Sequence, residues 1–164
     1  MLPNHFECTV EVSAAADAVF SHLDDHGRLS AHMSDSSWMM AGSHMAIELD
    51  ASEGRAVGAI IRLRSRVLGI PLSVEEIVTE RKPPLRKIWE TTGTPNLLVI
   101  GQYRMGYAIT PKGRAALMRV FIDYTMPAGP FSGLLGSLFG NFYARWCTQR
   151  MADDAARHFQ RNGQ

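Results

Sequence analysis

Three of the chain's four tyrosines and two of its carboxylates are the residues best suited to chemistry. Tyr103 and Tyr107 fall in an alternating set, Val99, Tyr103, Met105, Tyr107 and Ile109, and Tyr124 ends a second set with Met118, Val120 and Ile122. If both faces point inward, three hydroxyls orient a ligand in an otherwise apolar pocket, the usual composition of a small-molecule site. Singly, each tyrosine reads as a core residue with its hydroxyl at the rim; as a group they read as a cavity lining. Glu76 shares a strand face with Val74 and Val78, and Glu90 shares one with Ile88. A carboxylate facing a cavity loses hydration, so its pKa rises and it can serve as a general base. The ordinary expectation for both is edge exposure or an arginine partner. Trp89, mid-strand, and Trp38, where the chain passes into its strands, suit a pocket wall or gate as well as they suit core packing.

Other polar groups point away from chemistry. Asp123 shares a face with Phe121 and Arg119, which predicts an ion pair on the outside of a sheet. Arg62, Arg64 and Arg66 alternate along one strand face. They read as a solvated stripe within reach of Glu75 and Glu80 rather than as a phosphate or RNA contact. The six histidines do not fall at metal-ligand spacing, and Tyr103-Arg104-Met105-Gly106-Tyr107 has one glycine and is no phosphate loop. No metal, cofactor or Ser-His-Asp set is expected. Cys8 and Cys147 are too few and too distant for a disulfide framework and read as buried thiols. The 17 Lys and Arg nearly cancel the 16 Asp and Glu, so charge recruits neither nucleic acid nor anionic lipid. No transmembrane segment or signal peptide is legible, and a cytoplasmic protein is expected. Gly42-Ser43-His44-Met45 resembles a tag remnant but lies well inside the chain, and it is read as native.

The elements that must position these residues follow from periodicity, and 164 residues fit one domain over 1–164. His5–Val12 alternates, with Phe6, Cys8, Val10 and Val12 on one face. Ser13 reads as the cap of a short helix over Ala14–Leu23. Gly27 separates it from a second helical piece, Arg28–Met33, and Ser34 to Ser37 reads as a turn. Strands are then expected over His44–Ala51, Val57–Leu68, Ile70–Arg81, Leu85–Thr92, Leu97–Thr110 and Arg114–Met126. In the Val57 strand, Val57, Ala59, Ile61, Leu63 and Val67 share a face. Lys82-Pro83-Pro84 and Pro111-Lys112-Gly113 end two of the strands. The strongest helical signal is the last stretch, Phe131–Phe159, opened by Pro130 and capped by Ser132. There Ala144, Cys147, Thr148, Met151, Ala155 and Phe159 form one face, and Arg145, Gln149, Arg150, Asp153 and Arg157 the other.

An α+β domain is predicted, in which a curved antiparallel sheet of about seven strands wraps a long C-terminal helix, with two short helices after the first strand. This order, together with the stretch Val10 to Phe20 and the later Val78-Thr79-Glu80-Arg81-Lys82-Pro83-Pro84, resembles the START-like helix-grip superfamily, which includes lipid-transfer domains and polyketide cyclases. The resemblance implies a cavity between sheet and helix, usually for an apolar small molecule such as a lipid, polyketide or aromatic metabolite. It implies no invariant catalytic set. The expected function is therefore that of a carrier or sensor whose site draws on Trp38, Trp89, Tyr103, Met105, Tyr107, Tyr124 and the C-terminal helix. The rival readings are a polyketide cyclase or dehydratase, with Glu76, Glu90 or a tyrosine near the reacting carbon, and an interaction module whose interior is filled by its own side chains.

The start of the C-terminal helix has an apolar phase of its own. Carried back from Met151, one unbroken helix puts Gly133, Gly136, Gly140 and Ala144 toward the sheet and Phe131, Leu134, Leu135, Leu138 and Phe142 nearly opposite. Either the helix breaks near Gly140, or the large residues form an outward patch for a second subunit or a membrane surface. The patch is the expectation adopted, with ligand volume beneath Gly136 and Gly140.

Overall fold

The computed structural model describes residues 2–28 and 46–162. Trp38, the turn over Ser34 to Ser37, most of the helical piece expected over Arg28–Met33, and the start of the strand expected from His44 lie outside the described residues. Seven strands form one antiparallel sheet: β1 (Asn4–Val12), β2 (Ala46–Leu49), β3 (Ile60–Val67), β4 (Ile70–Lys82), β5 (Arg86–Asn96), β6 (Tyr103–Lys112) and β7 (Ala115–Tyr124). Their order is β1-β7-β6-β5-β4-β3-β2, so every strand after the second lies beside its predecessor and β1 closes on β7. Helix α1 (Ala16–Asp24) follows β1, residues 26–28 are helical again, and α2 (Pro130–Asn162) ends the chain.

Alternation decides which side chains face the inside. Tyr103, Met105, Tyr107 and Ile109 of β6 are buried, as are Met118, Val120, Ile122 and Tyr124 of β7, and the register sets Tyr103 opposite Tyr124 and Tyr107 opposite Val120. A β-bulge between Val78 and Glu80 shifts the phase of β4. Arg81, rather than Glu80, is thereby brought under α1, while Glu80 pairs with Lys82 and Arg86 at the surface. Helix α2 lays Ala144, Cys147, Thr148, Met151 and Ala155 on β1 and β7, small and medium side chains that let the helix approach closely. Thr148 satisfies its buried hydroxyl on the Ala144 carbonyl at 2.8 Å.

Several local expectations are corrected. Ala15, not Ser13, occupies the N-cap of α1, and no side chain caps it. Val57 lies outside β3 and is exposed, because the strand begins at Ile60. Val99 belongs to the connection before β6, which starts only at Tyr103. Strand β5 runs on to Asn96 despite Pro95; that end has β4 as its ladder partner after β6 pairing stops at Glu90, so the missing amide is tolerated. Helix α2 is unbroken, so its early large residues do point outward: Phe131, Leu134, Leu138, Phe139 and Phe142 are exposed, and Leu135 is half-buried.

Candidate functional site

Glu76 sits mid-way along β4, flanked by Ile61 of β3 and Thr91 of β5, and its side chain is 3% exposed. The expected edge exposure or arginine partner is therefore corrected. Val74 and Val78 are buried on the same face, so the alternation that buries them buries the carboxylate too. Tyr103 donates a short hydrogen bond to Glu76 Oε1. Burial, followed by the nearby Glu76 charge, raises the Tyr103 phenol well above its ordinary pKa, so it remains a donor. The second oxygen, Oε2, has no hydrogen-bond partner among the described residues. It faces His26 Nε2 at 3.6 Å, beyond hydrogen-bond reach, and His26 is itself 2% exposed.

His26 packs against Trp89 in a T-shaped contact, with ring centroids 5.1 Å apart and planes at 78°. Its Nδ1 likewise lacks a hydrogen-bond partner among the described residues. Trp89 packs in turn against Tyr107, and Tyr107 against Phe20 of α1, at 6.3 and 5.8 Å between centroids. The buried Tyr107 hydroxyl is also without a partner among the described residues, and burial, aided by the charge of Asp24, raises its pKa. The field of Glu76 reaches α2 as well. Burial first and Glu76 second push the Cys147 thiol up to about 12, and burial, Cys147 and Glu76 together raise the Tyr143 phenol. Glu76 thus lies between sheet and helix, with aromatic and sulfur side chains around it.

A second buried carboxylate behaves differently. Asp24, the last residue of α1, accepts from Lys87 Nζ at 2.9 Å on Oδ1 and from Arg81 Nη2 at 2.7 Å on Oδ2, and its backbone carbonyl takes another Lys87 bond at 3.1 Å. Burial alone would raise its pKa, but the bonds and charges of Arg81 and Lys87 outweigh that and hold it below the usual carboxylate value. This cluster ties α1 to β4 and β5.

The remaining expected residues divide in two. Trp89, Tyr103, Met105 and Tyr107 meet on the inner face, with Trp89 opposite Met105 in register. Tyr124 is buried and makes a short hydrogen bond to Asn141 Oδ1 of α2 rather than to Glu76. Gly136 and Gly140 are set against protein atoms rather than open space: a Cβ would lie 2.5 Å from Pro127 Cδ at the first and 2.9 Å from the Val99 carbonyl oxygen at the second. Glu90 is opposite Arg104 on the outer face, one residue out of phase with Trp89, and so does not join the site. Asp123 forms the expected exterior pair, with His5 at 2.6 Å and Arg104 at 3.5 Å. Arg62 pairs with Glu75 as expected, whereas Arg64 takes Glu48 of β2. Sequence reasoning missed His26, because an isolated histidine beside Gly27 carries no periodic signal. It also passed over Tyr143, whose helical phase lies at the edge of the buried face.

A curved antiparallel sheet closed by a long terminal helix is the arrangement of a helix-grip protein, and here an acid, a phenol and an imidazole are buried within it. The chain belongs to the family described as polyketide cyclase / dehydrase and lipid transport, which matches residues 3–162. Among solved structures it is similar to the Zhui aromatase/cyclase from Streptomyces sp. R1128, at 14% identity and TM-score 0.71, covering 98% of this chain and 96% of that one. It is also similar to a norcoclaurine synthase point mutant from Thalictrum flavum in complex with a transition-state analogue, at 16% identity and TM-score 0.66 with the same coverage of both chains. A major latex-like protein from Panax ginseng aligns at 14% identity and TM-score 0.55, covering 95% and 97%. At these identities the structural likeness shows the fold alone. No curated protein matches the chain in sequence.

Proposed function

We propose that the chain binds an apolar small molecule between the sheet and α2, as a carrier or sensor, with Trp89, Tyr103, Met105 and Tyr107 against the ligand and Glu76 as its polar anchor. The observation that carries this is the set of buried polar atoms without hydrogen-bond partners among the described residues, Glu76 Oε2, His26 Nδ1 and Tyr107 Oη. In an apolar interior each such atom costs roughly 1–3 kcal/mol, and a ligand carrying one or two polar groups offsets that cost on binding. Family membership supports the same reading. Native mass spectrometry of gently purified protein is expected to show a retained small molecule, and the protein is expected to enhance the fluorescence of an environment-sensitive apolar dye. A wild-type protein that retains nothing and binds no dye has a filled interior, and the reading fails.

The exposed start of α2 is proposed as a contact surface, covered by a second copy or resting on a membrane surface. Phe131, Leu134, Leu138 and Phe142 continue into an open groove of about 500 Å³ along α2, lined by Leu138, Asn141, Phe142, Arg145, Trp146 and Gln149. Among the described residues no helix is long and apolar enough to cross a membrane. Sedimentation at several concentrations and flotation with lipid vesicles separate the two occupants. Cys8 and Cys147 are both free, which suits the cytoplasm proposed for the chain.

A further inference from the structure

We propose that one end of the sheet, formed by the β3–β4 tip, the β5–β6 connection and the start of α2, seats the protein on an uncharged lipid surface, with Leu68 and Phe131 entering its apolar boundary. The inference rests on the contact-surface reading of α2 above, and it commits that surface to one occupant.

Register brings the three segments to the same end. Val67 and Ile70 close the β3–β4 hairpin, Asn96 of β5 donates to the Pro71 carbonyl at 2.9 Å, and Gln102, just before β6, donates to the Gly93 carbonyl at 3.3 Å. Tyr103 then lies opposite Tyr124, where β7 ends and the chain turns into α2, and the Val99 carbonyl oxygen lies 3.2 Å from the position of a Gly136 Cβ. Residues 67–74, 91–103 and 124–144 contain no Asp, Glu, Lys, Arg or His. The opposite end is built differently, with Asp50, Glu53 and Arg55 between β2 and β3 and with Lys82 and Arg86 flanking the β4–β5 turn.

The uncharged end is also where large apolar side chains meet water. Leu68 at the hairpin tip is 83% exposed and Ile70 42%, while Phe131, Leu134 and Leu138 of α2 are 66%, 60% and 64% exposed. Leu68 also holds a left-handed φ of 50°, so the fold carries a strained leucine whose side chain gains little from burial. The borders of the three stretches say which surface fits. Each stretch is bounded by one cation and one acid, Arg66 and Glu75, Glu90 and Arg104, Asp123 and Arg145, so no net field draws anionic lipid or a charged protein. A protein partner is met through a polar rim of hydrogen bonds, whereas these apolar side chains project from a hairpin tip and a helix with only uncharged chain between them. Fluid acyl chains fill such an uneven outline, which a second rigid copy would leave with voids.

The test is flotation of the full chain with vesicles of phosphatidylcholine alone and of phosphatidylcholine with phosphatidylserine, each at low and at high salt. Wild type is expected to float with both, its partitioning changed less than about 2-fold by the anionic lipid or by salt. Leu68→Asp and Leu134→Asp are each expected to weaken partitioning roughly 10-fold or more, because a leucine then no longer leaves water. Aspartate tolerates the left-handed backbone at position 68, so the first change leaves the hairpin intact. Leu85→Asp, which alters an exposed leucine in the charged β4–β5 turn, is expected to change nothing. All three side chains are exposed, so native circular dichroism is expected of each variant, and the serine substitution takes the place of any that lacks it. Flotation with the anionic vesicles only, lost at high salt, overturns the inference, as does unchanged partitioning of Leu68→Asp or an equal loss with Leu85→Asp. A wild type that self-associates in sedimentation and floats with neither vesicle overturns the lipid occupant and leaves the contact-surface reading standing. One that does neither overturns both.

Discussion

Asp24 and Glu76 are both carboxylates buried on the inner side of the same sheet, but their surroundings are opposed. Asp24 is saturated: two cations meet its two oxygens, and Lys87, fully buried, spends its remaining reach on the Asp24 carbonyl. Glu76 has a neutral donor on one oxygen and a histidine held just out of bonding range on the other. A buried charge costs several kcal/mol unless it is paired and bonded. The fold meets that requirement at Asp24 and leaves it partly unmet at Glu76. The saturated site welds α1 to the sheet, whereas the unsaturated one leaves an oxygen without a hydrogen-bond partner among the described residues, the one we propose for the ligand.

The sharpest way to break this contrast is to remove each carboxylate in turn. Asp24→Ala strands Lys87 and Arg81 under α1 and is expected to cost roughly 3–5 kcal/mol, read as a large fall in the urea midpoint. Glu76→Met removes a partly satisfied carboxylate and fills its volume with an adaptable apolar chain. That variant also leaves the buried Tyr103 hydroxyl without its acceptor, so it is expected to cost no more than about 1–3 kcal/mol, less than Asp24→Ala, while abolishing ligand retention. If both changes destabilise equally, the distinction between a structural and a reserved carboxylate fails.

Acid titration sharpens the same point. The Asp24 carboxyl is held below its usual value in the folded state. Its contribution is therefore complete above the unfolded pKa of about 3.9, and it is lost as pH falls through the lower folded value. Urea midpoints of wild type are expected to drop over that window more steeply than those of Asp24→Asn, and parallel curves would remove Asp24 from the account.

Tyr103→Phe is expected to cost about 1–3 kcal/mol, since it leaves Glu76 Oε1 buried without its donor. In the Glu76→Met background the same change is expected to cost much less, and thermal melts of the four proteins measure that coupling. The smallest stability effect belongs to the surface. Leu138→Asp is expected within about 0.5 kcal/mol of wild type, but it should lower any self-association seen by sedimentation or any affinity for lipid vesicles. A wild type that is monomeric throughout and indifferent to vesicles would leave the patch without an occupant.

Much of this architecture is decided locally. Alternation in β6 and β7 and the 3.6-residue period of α2 name the inward residues directly, because the phase of a strand or helix is set by neighbours two to four positions away. The inward phase of Glu76 is legible in the same manner from Val74 and Val78. The outward patch at the start of α2 also follows from phase, once the helix is unbroken. What periodicity does not carry is which inward groups meet. Tyr103 lies 27 positions from Glu76, and His26 stands in another element altogether. Their approach depends on sheet register and on where the chain after α1 crosses the strands. A single bulge in β4 decides that Arg81 rather than Glu80 reaches Asp24, and such a shift leaves no mark in the hydrophobic pattern. The glycine stripe of α2 is plain in the sequence too. That Pro127 and Val99, rather than open volume, press against it is a matter of tertiary packing, because a missing side chain specifies room without specifying what takes it.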